Sequence, residues 1–251
     1  MTPRPAFLKE LNEMSSLFIR FAFVLAGVAL LMFLGTPPLV MQLFAAVKAA
    51  LLPTNVSIVA LSPWAPFVAQ FTIAFMVAFV VSFPYLLWSL MRYILPALYP
   101  AERRTVSSLF YFALLLFFSG CIFAYTLLIP STFSILYSFA GPLGVTPLFS
   151  LDSFIWTVFN LTVFTGVTFL LPVLMFLLSA TGIVPARWWR AHWRGAVVII
   201  TIFSAIITPD GTGVTMVLLS VPLLLLYGTG VVLSARREKK REPSAIVLED
   251  S

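Results

Sequence analysis

"ILPALYPAERRTV", residues 94–106, holds Glu102, Arg103 and Arg104 between two long runs that carry almost no charge. Each run has about 25 to 30 residues, enough to cross the roughly 30 Å hydrocarbon core of a bilayer as a helix. A short charged break between two such runs reads as a polar loop joining two membrane-spanning helices. That reading decides the fold class, because only helices and closed barrels satisfy their own backbone hydrogen bonds in lipid.

Composition agrees with the loop. The chain has 251 residues, 61% hydrophobic and only 10% charged. A soluble domain needs more polar surface than that to cover its core. The apolar stretches are continuous and do not alternate with period two, which argues against a membrane β-barrel. The expected fold class is all-α: a polytopic membrane protein of six transmembrane helices, the last two short, with both termini cytoplasmic.

The net charge of +6 reports topology, not affinity for nucleic acid. Arg4, Lys9 and Arg20 sit at the start, and Arg92, Arg103 and Arg104 flank the opening loop. Arg187, Arg190 and Arg194 fill a later break. Arg236, Arg237, Lys239, Lys240 and Arg241 follow the last apolar run, and only Lys48 falls elsewhere. Short loops rich in Lys and Arg stay on the cytoplasmic side.

The spans follow from the breaks. The first covers Leu17 to Leu34 and ends at "GTPP". "LVMQLFAAVKAALL", Leu39 to Leu52, is about 14 residues, too short to cross, and reads as an amphipathic helix on the outer surface. A short extended piece is expected after it. The second span covers Pro66 to Arg92, with a kink expected at Pro84. The third, Val106 to Ile129, is expected to stop at Pro130, before an outer loop that begins "STFSILYS". The fourth, Ser153 to Val184, is long enough to need a bend at Gly166 and Pro172.

Gly195 to Thr208 gives only about 21 Å of helix. The basic residues before it and after Ser234 belong on one side of the membrane, so an even number of crossings must separate them. Gly195–Thr208 and Val214–Ser234 are therefore read as two spans joined by the turn-rich "PDGTG". The domain reading is a cytoplasmic amphipathic segment (1–16), a six-helix membrane domain (17–234) and a basic, disordered cytoplasmic tail (235–251). No cleavable signal peptide is expected at the start, where Glu10 and Glu13 precede the first run.

Little in the chain suits catalysis. The one histidine, His192, sits in "RWWRAHWR" among Trp188, Trp189 and Trp193, the composition of a membrane-interface belt. No phosphate loop, dinucleotide fingerprint or zinc motif is present. Cys121 is the only cysteine, so neither an intrachain disulfide nor a cysteine metal site arises. No enzyme activity, cofactor or metal is expected. Asn160, Gln70, Thr72, Thr165 and Thr168 are the polar residues at depth, suited to interhelical hydrogen bonds.

The acids are informative because they are few. Asp152 suits a helix cap or dipole partner, and Asp210 suits the TPDG turn. Glu10, Glu13 and Glu102 all belong at the cytoplasmic edge. They read either as solvated carboxylates or as an acidic patch fit for a guanidinium, which pairs with carboxylate through two parallel hydrogen bonds.

The opening loop carries a resemblance as well. "FPYLLWSLMRYILPALYPAERR", Phe83 to Arg104, resembles the TatC family, whose members are polytopic subunits of the twin-arginine protein translocase. The family's proline, tryptophan and P-x-L-Y-x-x-E-R-R are matched by Pro84, Trp88, Pro96, Leu98, Tyr99, Glu102, Arg103 and Arg104. "GCIFAYTLLIP", "GVTFLLPV", "TPDGTGVTMVLLSVPLLLLYG" and "FLKELNE" are similar to further family segments, in order along the chain. The resemblance implies a receptor for signal peptides bearing paired arginines and the core of an exporter of folded proteins driven by proton-motive force. It implies signal-peptide contacts at Glu10 and Glu102, with Glu13 and Arg103 beside them. Structural or partner contacts would fall to Pro84, Trp88, Pro96, Tyr99, Tyr125, Thr168, Pro172, Asp210 and Thr215. Implied partners are TatA- and TatB-type single-span proteins, twin-arginine signal peptides, the lipid bilayer and further copies of the chain, with no nucleic acid. The implied location is the plasma (inner) membrane of a prokaryote.

The chain also departs from the family pattern. Phe7 stands for a histidine, Asn12 for an arginine, Ala65 for an outer-loop acid, Leu170 for an intramembrane polar group and Gly228 for a glutamate. Two other readings stay open: a divergent non-transporting paralogue, which those departures favour, or a small-solute permease, whose polar intramembrane residues would have to line a substrate path.

Overall fold

A computed structural model describes residues 4–35, 37–51, 57–94, 103–139, 148–208 and 213–246, and almost all of them are helical. Five helical stretches are long and apolar enough to cross a membrane: Met14–Gly35, Ala65–Tyr93, Ser108–Ser138, Leu151–Ala180 and Val214–Arg236. These match five of the six expected spans. The remaining one is the shorter apolar helix Trp193–Ile207. The chain divides into two compact units, Met1–Phe110 with Gly144–Phe159, and Tyr111–Leu143 with Asn160–Ser251.

In the first unit α1 (Arg4–Gly35) is one unbroken helix, so the segment expected as a separate N-terminal piece is continuous with the first span. It packs antiparallel to α3 (Ala65–Ile94) through edge-on aromatic contacts: Phe21 with Phe79 at 6.3 Å, and Phe33 with Phe67 at 5.5 Å. Edge-to-face rings suit the aromatic quadrupole. Helix α3 continues through Pro84. Helix α2 (Pro37–Leu51) buries Val40 and sets Phe44 edge-on against Phe154, 6.4 Å away. The expected extended piece is β1 (Ser57–Val59), which pairs in parallel with β2 (Leu148–Ser150), Ile58 opposite Phe149.

Strand β2 feeds α6 (Leu151–Thr168). The cap here is Ser150 and not Asp152: the Ser153 N–H donates to Ser150 Oγ at 3.2 Å, and Ser150 Oγ donates to Ser153 Oγ at 2.7 Å. A side-chain oxygen at the N-cap commonly accepts this third N–H of the helix. Asp152 lies one step inside, in the first turn, where the helix dipole favours a negative charge.

The second unit corrects three expectations about helix ends. Pro130 does not stop the third run. Helix α4 (Arg103–Phe123) passes through a π-helical turn, Ala124–Leu128, into α5 (Ile129–Ser138), so "STFSILYS" is helical and not loop. A proline lacks the N–H that would bond four residues back, and its ring crowds that carbonyl. The wider π turn just before Pro130 accommodates the mismatch. Gly166 does not bend the fourth run. That run breaks at Phe169 and Leu170, and α7 (Leu171–Ala180) restarts with Pro172 in its first turn, where a missing N–H costs nothing. Helix α10 runs from Val214 to Ile246, through much of the segment expected to be disordered. Its "ARREKKRE" stretch is rich in strong helix formers. Two further helices, α8 (Ala186–Ala191) and α9 (Trp193–Ile207), complete the unit, in which α10 packs on α7, α8 and α9.

Gly166 serves close packing instead. A Cβ on it would lie 2.8 Å from Cys121 Sγ and 2.9 Å from Phe117 Cε2. A Cβ on Gly120 would lie 2.9 Å from the Thr165 carbonyl oxygen and 3.0 Å from Gly166 Cα. Small residues let helix backbones approach this closely in membrane proteins. Gly120→Ala is therefore expected to lower stability by about 1–3 kcal/mol, the usual range for overpacking. Gly27→Ala, with open space at its Cβ, is expected to be neutral or stabilising. Thermal unfolding of the two purified variants in detergent compares them directly.

Candidate functional site

The candidate site belongs to the first unit and is assembled from helix ends. The Phe21–Phe79 and Phe33–Phe67 contacts fix the register of α1 on α3. Carried back along α1, the same register brings positions 10 and 13 level with positions 90 and 87, in the last two turns of α3. The antiparallel start of α4 is held there too, because Trp88 meets Phe110 edge-on at 5.5 Å. The N-terminal part of α1, the end of α3 and the start of α4 thus share one end of this unit.

Charge collects at that end. Glu10 and Glu13 lie in α1, Arg92 is exposed in the last turn of α3, and Arg103 and Arg104 open α4. Arg92 sits where a helix dipole welcomes a cation. Arg103 and Arg104 sit where it does not, at an N-terminus. Local helix stability does not explain that pair. Glu102, Pro96 and Tyr99 lie outside the described residues, as does Asp210.

Pro84 and Trp88 both lie on α3, and Trp88 is half exposed while it contacts Phe110. Phe110 was not singled out in the sequence. It sits in an apolar run like any other, and only its ring contact marks it.

In the second unit the expected contact residues take separate roles. Tyr125 lies in the π turn and is partly exposed. Thr168 Oγ1 donates to the Thr165 carbonyl at 3.0 Å, and Thr72, in the first unit, donates to the Val68 carbonyl at 2.9 Å. Both hydroxyls bond within their own helix, contrary to the expected interhelical use. A Ser or Thr hydroxyl reaches the carbonyl one turn back with little strain. Pro172 is buried, and a Cβ on Gly230 would meet its Cα at 3.2 Å. Thr215 is fully buried in the first turn of α10.

The tryptophan belt is more ordered than its composition suggests. Trp188 and Trp193 are exposed, as expected of an interfacial residue. Trp189 donates from Nε1 to Ser179 Oγ at 3.0 Å, and its carbonyl accepts the Tyr227 hydroxyl at 2.6 Å. These bonds tie α8 to α7 and α10. A tyrosine inside an apolar run is the sequence signal that should have pointed to them, since a buried hydroxyl needs a partner. His192 stacks on Trp188 at 4.2 Å, with Nδ1 2.9 Å from the Trp188 carbonyl. Among the described residues no three His, Cys, Asp or Glu side chains cluster as metal ligands.

Comparison with known proteins covers the same ground from another direction. The family model described as "Sec-independent protein translocase protein (TatC)" matches residues 9–222. A relative of that name from Cenarchaeum symbiosum is 35% identical over 195 residues, 78% of this chain and 74% of its own. One from Deinococcus radiodurans is 32% identical over 234 residues, 90% of this chain and 83% of its own. A crystal structure titled as the twin-arginine translocase receptor TatC superposes with a TM-score of 0.77 at 30% identity. It covers 90% of this chain and 98% of that one.

The Trp88–Phe110 contact makes a testable claim about the shared end. In Trp88→Ala the start of α4 loses its hold on α3, and trypsin is expected to cut after Arg103 or Arg104 severalfold faster than in the unaltered chain. Mass spectrometry of the fragments over time gives the rates. Equal rates would remove Trp88 from the role assigned here.

Proposed function

The chain belongs to the TatC family of Sec-independent protein translocase proteins, and from that premise we propose that it is a receptor for twin-arginine signal peptides and the core of a translocase for folded proteins. It is a multi-pass membrane protein. The observation that carries the proposal is the sequence "PALYPAERR", whose Arg103 opens α4 at the end of the unit where positions 10 and 13 also lie.

The chemistry follows from geometry and charge. A guanidinium presents a planar fork that a carboxylate accepts with two parallel hydrogen bonds. Two consecutive arginines on an extended peptide need two acceptors, which Glu10 and Glu102 supply, with Glu13 as a third carboxylate. Arg103 and Arg104 keep the loop on the cytoplasmic side, where the peptide arrives. The motif glutamate therefore sits among arginines of its own, and the peptide competes with them. Lysine presents a point charge instead of a fork, so a twin-lysine peptide binds more weakly.

In this proposal Trp193–Ile207 is a short crossing, the fifth of six along the chain, so both termini lie in the cytoplasm of a prokaryote whose plasma membrane holds the protein. Thinning of the bilayer beside that helix absorbs the mismatch. TatA- and TatB-type single-span proteins and further copies of the chain complete the translocase, and proton-motive force drives it without hydrolytic chemistry in this subunit. One set of residues favours a second reading, a paralogue that keeps the fold but not transport: Leu170 and Gly228 replace polar groups of the family pattern.

Charge reversal separates the readings. Glu102→Lys, and more fully Glu10→Lys with Glu102→Lys, is expected to cut photocrosslinking of a twin-arginine peptide by at least about tenfold, the scale of one charged hydrogen bond lost. Unchanged crosslinking in Glu102→Lys removes the role given to that carboxylate. Export of a folded twin-arginine reporter in a translocase-deficient strain distinguishes the receptor from the non-transporting paralogue.

A further inference from the structure

We propose that Arg20 is a lipid-phosphate site: its guanidinium binds the headgroup phosphate of a phospholipid on the lipid-facing side of the first span. The proposal stands on its own observations and does not depend on the receptor reading.

Arg20 lies six residues inside the apolar stretch Met14–Gly35, about 9 Å along the helix from Met14. It is exposed, and so are Phe18, Ile19 and Phe23 around it, Phe23 at 75%. The first span is also the least enclosed of the five, with 11% of its apolar window buried against 28–50% in the others. A surface this apolar faces lipid.

Among the described residues, the helices around Arg20 offer it no counter-charge at that level. One turn away along α1 stand Ser16, Leu17, Phe23 and Val24, none of them acidic. The nearest acid in α1 is Glu13, two turns off. Helices α2 and α3, which pack on α1, contain no Asp or Glu at all. An unpaired cation in hydrocarbon is costly, so its side chain extends toward the nearer interface. Helical side chains lean toward the helix N-terminus, which for Arg20 is the direction of Met14 and the membrane edge. A phosphate there accepts the guanidinium fork through two oxygens. The bond would fix the depth of α1, and with it the height at which positions 10 and 13 emerge.

Two measurements test this on the full-length chain. The first is native mass spectrometry in detergent with dioleoylphosphatidylglycerol or dioleoylphosphatidylcholine added, both of which carry the phosphate. Near half-saturation, Arg20→Leu is expected to hold the most tightly bound phospholipid about threefold less, the scale of one partly exposed ion pair. Arg20→Lys should retain most of it. Equal occupancy in wild type and Arg20→Leu overturns the proposal. In the second, benzoylphenylalanine replaces Phe23 in intact membranes, and irradiation is expected to yield a phospholipid adduct. Capture of a second polypeptide there overturns the proposal and assigns Arg20 to the acidic side chain of a partner helix.

Discussion

A backbone N–H or C=O without a partner in hydrocarbon costs several kcal/mol, and that constraint governs most of this chain. It makes helices obligatory wherever the sequence is apolar for long enough. It also explains what happens at the prolines. Before Pro130 the chain inserts a π turn and keeps its helix. Before Pro172 it breaks for two residues and restarts with the proline in the first turn, where no N–H is required. Both solutions keep the loss of backbone bonding small.

The same constraint disposes of the hydroxyls. Thr126, Thr132, Thr201, Thr208 and Ser220 each donate to the carbonyl four residues back in their own helix. A polar side chain in a membrane helix is neutralised most simply by its own backbone, which leaves few groups for contacts between helices. Helix contact then rests on shape: Gly120 and Gly166 in the second unit, and edge-on phenylalanine pairs in the first. The bonds of Trp189 with Ser179 and Tyr227 do cross between helices, and they lie beside the short helices α8 and α9.

Charge follows a different logic. With 10% of residues charged, nearly every one lies outside the long apolar runs, so each position can be asked what it is for. Arg92 suits the end of its helix. Arg103 and Arg104 oppose the start of theirs, which points to a topological role. Arg20 suits neither explanation, because it lies within an apolar window with no carboxylate on the helices that pack around it.

The sequence by itself determined the class of fold, five of the crossings and the identity of the loop motif, because hydropathy over about 20 residues is a local property that lipid reads directly. It placed α2 within about two residues, since a run too short to span and flanked by proline has few alternatives. It misjudged the ends at Pro130 and Gly166, where the outcome depends on a π turn and on how closely another helix approaches. It could not pair β1 with β2, which lie about 90 residues apart in a chain with no alternating pattern at either strand. Nor could it align α1 with α3, on which the common level of positions 10, 13 and the start of α4 depends. Those were decided only by tertiary structure, because side-chain packing between helices sets register, and hydrophobicity along one helix carries no record of its neighbour.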